Sequence, residues 1–167
     1  MSQQEKWHIY EVDMDIKYMR MAIEEAKKGT EYDEVPIGAV IVKDGEVLAC
    51  CHNEKEQYKC AVFHAEIVAI MRATEKLNNW HLDGADLYVT LEPCAMCAGA
   101  IINSRIANVY FGAYDSKAGS CGTLYNLPED VRFNHRAHVE GGMLEEECGV
   151  LLSDYFKAKR ESKKNTK

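Results

Sequence analysis

Two short clusters, His64-Ala65-Glu66 and Pro93-Cys94-Ala95-Met96-Cys97, constrain this chain more than any other feature. One imidazole and two thiols are metal donors. A structural zinc site usually takes four protein ligands, whereas a catalytic one takes three and leaves the fourth position to water. Cys94 and Cys97 are three residues apart, so on one helical turn they face the same way, and His64 must close the triangle from a neighbouring helix. Two helix starts therefore have to lie side by side at one end of a sheet, where α/β proteins form ligand crevices. The partial positive charge of a helix N-terminus also favours thiolate over thiol. Glu66 is the natural general base for a water in the fourth position.

The flanking pattern supplies such a frame. Asp13 or Asp15 can cap a first helix with Ile16, Met19, Ala22, Ile23 and Ala26 at apolar spacing, ended by Gly29. Residues 35–42 read as a strand, Asp44-Gly45 as a two-residue hairpin turn and 46–51 as the returning strand. A polar loop over 53–59 leads to a helix over 66–77 with Ile67, Ile70 and Met71 inward. A buried strand, 86–91, runs into Pro93, a favoured residue at a helix start. That helix reaches about Ser104, and 106–111 is a further strand. Residues 138–140 form a last short strand before a C-terminal helix with Leu144, Cys148, Leu151, Leu152 and Tyr155 inward. The expected class is α/β: three α/β/α layers around a central mixed five-stranded sheet. Residues 15–160 are expected to form one domain, with an N-terminal extension over 1–14 and a basic tail over 161–167.

With 167 residues, 47% apolar and 28% charged, the chain can bury a sizeable core. No basic region followed by an apolar stretch opens it, and no run spans a bilayer, so a cytoplasmic protein without membrane contact is expected. Seven cysteines, an odd number at irregular spacing, argue against a disulfide framework. Cys50, Cys51 and Cys148 read as small buried hydrophobes. The net charge of −7 disfavours a nucleic-acid partner, yet residues 157–167 hold six basic residues and one acid. Screening over roughly 8 Å lets such a patch meet phosphate on an acidic body. A solvated, frayed helix end has the same composition.

The H-x-E…P-C-x-x-C signature is that of the zinc nucleobase deaminases. The resemblance to bacterial tRNA-specific adenosine deaminases is closer still. It is carried by His64-Ala65-Glu66-Ile67, by the run from Tyr88 to Ala100 and by Ser104-Arg105-Ile106. Leu151-Leu152-Ser153-Asp154, Asn134-His135-Arg136 and the run from Val35 to Val40 extend it to nearly the whole chain. The resemblance implies a cytidine-deaminase-like fold, one Zn2+ per subunit on His64, Cys94 and Cys97, and Glu66 as the catalytic proton carrier. It implies a homodimer that deaminates the wobble adenosine in the anticodon stem-loop of an arginine tRNA to inosine. It further implies that Asn53 hydrogen-bonds the target nucleotide, that Val35 lines the base pocket and that backbone near Ala65 and Pro93 helps bind the reacting groups. Asp115 and Lys117 would lie beside the substrate strand, and Tyr155, Phe156 and the basic end would meet the anticodon loop. By local pattern alone Asn53 and Asp115 are also ordinary turn residues, and Phe156 is also a core position.

One stretch departs from the family pattern. Before His64 the family has an acidic or amide residue, then Pro, Thr or Val, and a small residue, where this chain has Cys60-Ala61-Val62-Phe63. Phe63 either repacks locally or reshapes the pocket rim. A deaminase of free guanine or cytosine keeps the chemistry with a smaller substrate and has no use for residues 157–160. A catalytically silent zinc-bearing RNA-binding module would not depend on Glu66. A structural zinc site would need a fourth ligand from His52, Cys60 or Cys121, and a redox Cys-x-x-Cys pair leaves Glu66 and Pro93 without a role.

Overall fold

The computed structural model describes residues 2–164, and for 3–14 the backbone alone; Lys167 of the basic tail lies outside them. Helix α1 (Gln3–Gly29) is followed by a 3-10 turn (Thr30–Tyr32), strands β1 (Gly38–Lys43) and β2 (Glu46–His52), and a single-turn helix α2 (Lys55–Tyr58). Then come α3 (Ala65–Leu77), β3 (Ala85–Leu91), α4 (Ala95–Ser104), β4 (Asn108–Ala113), β5 (His138–Gly141) and α5 (Glu145–Lys164). The sheet order is β2-β1-β3-β4-β5, with β1 antiparallel to both neighbours and β3, β4 and β5 mutually parallel. The expected three-layer architecture with a mixed five-stranded sheet is present.

Strand alternation sorts the core into two layers. Ala39, Ile41, Leu87 and Val89 face Ala65, Val68, Ala69 and Ala73 of α3 and Ala98 and Ile101 of α4. Their neighbours Val40, Val42 and Tyr88 face Tyr18, Met19, Ala22 and Ile23 of α1 and Cys148 of α5. The period-2 pleat sends successive side chains to opposite faces, so each central strand is apolar on both. The hairpin closes on Asp44 and Gly45, both at positive φ (51° and 76°), as a turn matching the strand twist requires.

Several elements differ from the sequence expectation. α1 begins at Gln3 rather than at an aspartate cap, and Asp15 instead accepts a hydrogen bond from the Tyr88 hydroxyl. α3 is rotated from the expected phase: Met71 is exposed, while Val68, Ala69 and Ala73 are buried. Pro93 precedes the cap of α4 instead of occupying its first turn. Helix α2 stands where a loop was expected. All seven cysteines are free; Cys51 and Cys148 are buried, and Cys50 is half-buried with its thiol 3.8 Å from Glu25. No helix among the described residues is long and apolar enough to cross a membrane.

Candidate active site

His64 and Cys94 are the N-caps of α3 and α4, in extended conformations at φ −72° and −74°. An N-cap leaves the helix path, so its side chain reaches past the end of the cylinder while its carbonyl already accepts the first helical bond. Here Val68 donates to His64 and Ala98 to Cys94. Cys97 follows on the first turn of α4, and the crossover through β3 sets the two helix starts side by side.

His64 Nδ1 lies 3.7 Å from Cys94 Sγ and 3.6 Å from Cys97 Sγ, and the three ligand atoms form one mutually close group. Zinc bonds of about 2.3 Å to sulfur and about 2.0 Å to nitrogen, opened to the tetrahedral angle, separate such atoms by about 3.5 Å. The donor set and its spacing therefore fit zinc. Neither His52, Cys60 nor Cys121 belongs to this group, so among the described residues it holds three ligands, as a catalytic site does.

Hydrogen bonds from Cys97 and His64 hold the Cys94 thiol down to about 3, and donation to Cys94 together with burial pushes Cys97 up. The hydrogen bond to Cys94 raises His64. Glu66 is buried on the first turn of α3, and burial pushes its carboxyl up while His64 and the Cys97 thiol act against this.

These groups open into a cavity of about 290 Å³, at the small end of ligand clefts. Val35, Asn53, Asp115, His64, Glu66 and Cys94 line it, and Tyr155 and Lys159 of α5 complete the wall. Asn53 is buried; its amide oxygen accepts the Ala65 N–H at 2.8 Å and its amide nitrogen donates to the Val35 carbonyl at 3.4 Å. The Ala65 N–H is thus spent within the protein, and the Pro93 carbonyl already accepts from Ser120 at 2.9 Å. Tyr155 donates to the Asp33 carbonyl at 3.0 Å, and Lys159 pairs with the Asp33 carboxylate. Lys117 is exposed outside the lining, its N–H capping onto Asp115 at 2.9 Å. Phe156 is 45% exposed on α5, edge-on to Tyr155, and is not a core position.

The segment that departs from the family pattern packs locally. Phe63 lies against the core and edge-on to Tyr58, 5.8 Å between centroids, and does not line the cavity. Sequence reasoning missed Glu34, Lys55 and Glu92 in the lining. The usable signal for Glu92 was a charge at the end of an apolar strand, directly before Pro93-Cys94.

The MafB19-like deaminase family pattern matches residues 14–160. A tRNA-specific adenosine deaminase of Bacillus subtilis (strain 168) is 53% identical over 150 residues, 90% of this chain and 93% of that protein. A solved structure from a study of A-to-I editing by tRNA:A34 deaminases superposes with a TM-score of 0.78 at 43% identity, covering 81% of this chain and 99% of that one. A guanine deaminase of Bacillus subtilis superposes at a TM-score of 0.58 and 35% identity, over 64% of this chain and 69% of that one.

Proposed function

The chain belongs to the MafB19-like deaminase family, among the tRNA-specific adenosine deaminases, and from that premise we propose that it converts the wobble adenosine of an arginine tRNA to inosine. It does so as a zinc-dependent cytoplasmic homodimer whose deaminase unit spans residues 15–160. The observation that carries the reading is the three-ligand triangle with a buried carboxylate beside it, on the floor of a cavity sized for one base.

His64, Cys94 and Cys97 would hold one zinc ion per subunit, which when bound would supply an acidified water as the nucleophile. Glu66 would carry the protons, taking one from the attacking water and delivering protons to the ring nitrogen and the departing amine, so that adenosine and water give inosine and ammonia. Its burial keeps bulk water out of the exchange. Val35 packs against the base. Asn53 gives one amide hydrogen to Val35, which leaves its second for the nucleotide. The Pro93 carbonyl has a second lone pair for the leaving amine, whereas Ala65 acts by holding Asn53. Asp115 and Lys117 flank the substrate strand. An anticodon loop presents an unpaired base at low cost, and Phe156 with Tyr155 stacks on its neighbours while the basic end of α5 meets phosphate.

The test is inosine formation in an arginine anticodon stem-loop by the zinc-loaded parent and by Glu66→Ala. The variant should lose about 10²–10⁴-fold in rate while keeping its metal. Editing that survives the substitution would refute the proton-carrier role. The likeness to a guanine deaminase supports a second reading, a free-base substrate. Ammonia release from guanine by a parent that ignores the stem-loop would establish it instead.

A further inference from the structure

We propose that Glu92 is the positioning residue that clamps the 115–123 segment against the start of α4 and so fixes the cavity wall that meets the substrate. The substrate half of this inference rests on the deaminase reading above. Glu92 follows the last residue of β3 and is 2% exposed. Its backbone N–H donates to Ala113 at the end of β4 at 2.8 Å.

The carboxylate gathers four donors. One oxygen accepts the N–H groups of Cys121 (3.1 Å) and Thr123 (2.9 Å). The other accepts the Asp115 N–H (3.1 Å) and the Thr123 hydroxyl. A carboxylate offers about four lone-pair sites, so all are occupied and none remains to move a proton. Although Glu92 lines the cavity, its place is to hold other groups.

Two further contacts join the same surfaces. Cys94 and Gly119 form an isolated antiparallel bridge, and Ser120 donates to the Pro93 carbonyl at 2.9 Å. A Cβ at Gly119 would come within 2.3 Å of the Glu92 carboxylate and 2.5 Å of the Asp115 carbonyl, so the segment closes over Glu92 with no room to spare. Asp115 and Ala118, the segment's contributions to the cavity, are thereby fixed relative to Cys94.

Glu92→Gln tests this with little change of volume. The new amide nitrogen settles beside the Thr123 hydroxyl, which can turn and accept, and the Asp115 N–H loses its acceptor. In the zinc-loaded protein the expected result is a rise in KM for the stem-loop of about ten-fold, the loss of one buried acceptor, with a smaller change in kcat and one zinc retained. Thr123→Val should move KM the same way but less, and Thr123→Ser should restore it. Amide hydrogen exchange at Asp115, Cys121 and Thr123 should be slow in the parent and faster in Glu92→Gln. Unchanged KM and exchange in Glu92→Gln would overturn the inference, as would loss of zinc in step with activity, which would make Glu92 a support of the ligand helix. A parent inactive on the stem-loop would sink the substrate reading, while the exchange comparison would still decide whether Glu92 holds the segment.

Discussion

Glu25, Glu34, Glu54, Glu66 and Glu92 are buried, and a carboxylate taken out of water must find donors or stay protonated. Each has a different solution. Glu34 accepts the Glu56 and Gln57 N–H groups, Glu54 pairs with Arg72, and Glu92 gathers a whole segment. Glu25 is pushed up by burial, but hydrogen bonds from Lys28 and His52 outweigh this and hold it below its ordinary 4.5. A lowered carboxyl stabilises the fold above its unfolded value and loses that contribution as pH falls through the folded one. Glu25→Gln should therefore cost about 1–3 kcal/mol at pH 7 in urea unfolding, and the gap to the parent should close as pH drops below about 4.5. Of the five, Glu66 alone was legible as functional in the sequence, because its partner His64 is two residues away. The donors of Glu34, Glu54 and Glu92 come from 18 to 31 positions along the chain, beyond the reach of any local pattern.

Among the elements, the hairpin, the five strands and the starts of α3 and α4 were legible, since turn chemistry, alternation and capping act over a few residues. α2 was not. Its single turn is capped by Glu34, from the segment before β1, and no residue of its own marks a start. The phase of α3 was misread because its buried stripe is built of small residues, Ala65, Ala69 and Ala73, while the larger Met71 faces out. Small residues matter equally where α1 crosses β1. A Cβ on Gly38 would stand 1.9 Å from the Ala22 carbonyl and 2.8 Å from the Ala26 nitrogen, both backbone atoms of α1. No rotamer change relieves such a clash. Gly38→Ala should cost about 2–3 kcal/mol, read as a lower urea midpoint, and loosen the Gly38 N–H bond to the Thr90 hydroxyl.

Across the whole molecule, an acidic body carries a basic end. On the function proposed above, the cavity would take one base and residues 157–164 on α5 would meet phosphate. Replacing Lys157, Arg160, Lys163 and Lys164 by Gln should leave free-base chemistry unchanged and weaken stem-loop binding. In titrations at several salt concentrations, the slope of log affinity against log salt should shrink by about 0.7 for each phosphate that the variant no longer neutralises. An unchanged slope would mean that the tail is a solvated end and nothing more.

The cavity is also assembled in a definite order along the chain. His64, Cys94 and Cys97 precede the part of its wall that α5 supplies, Tyr155 and Lys159 against Asp33. In chain order the three ligand groups are thus complete before α5, which supplies that side of the wall. One long helix closes the cavity from the far end of the sequence, with Tyr155 and Lys159 as its latch on Asp33.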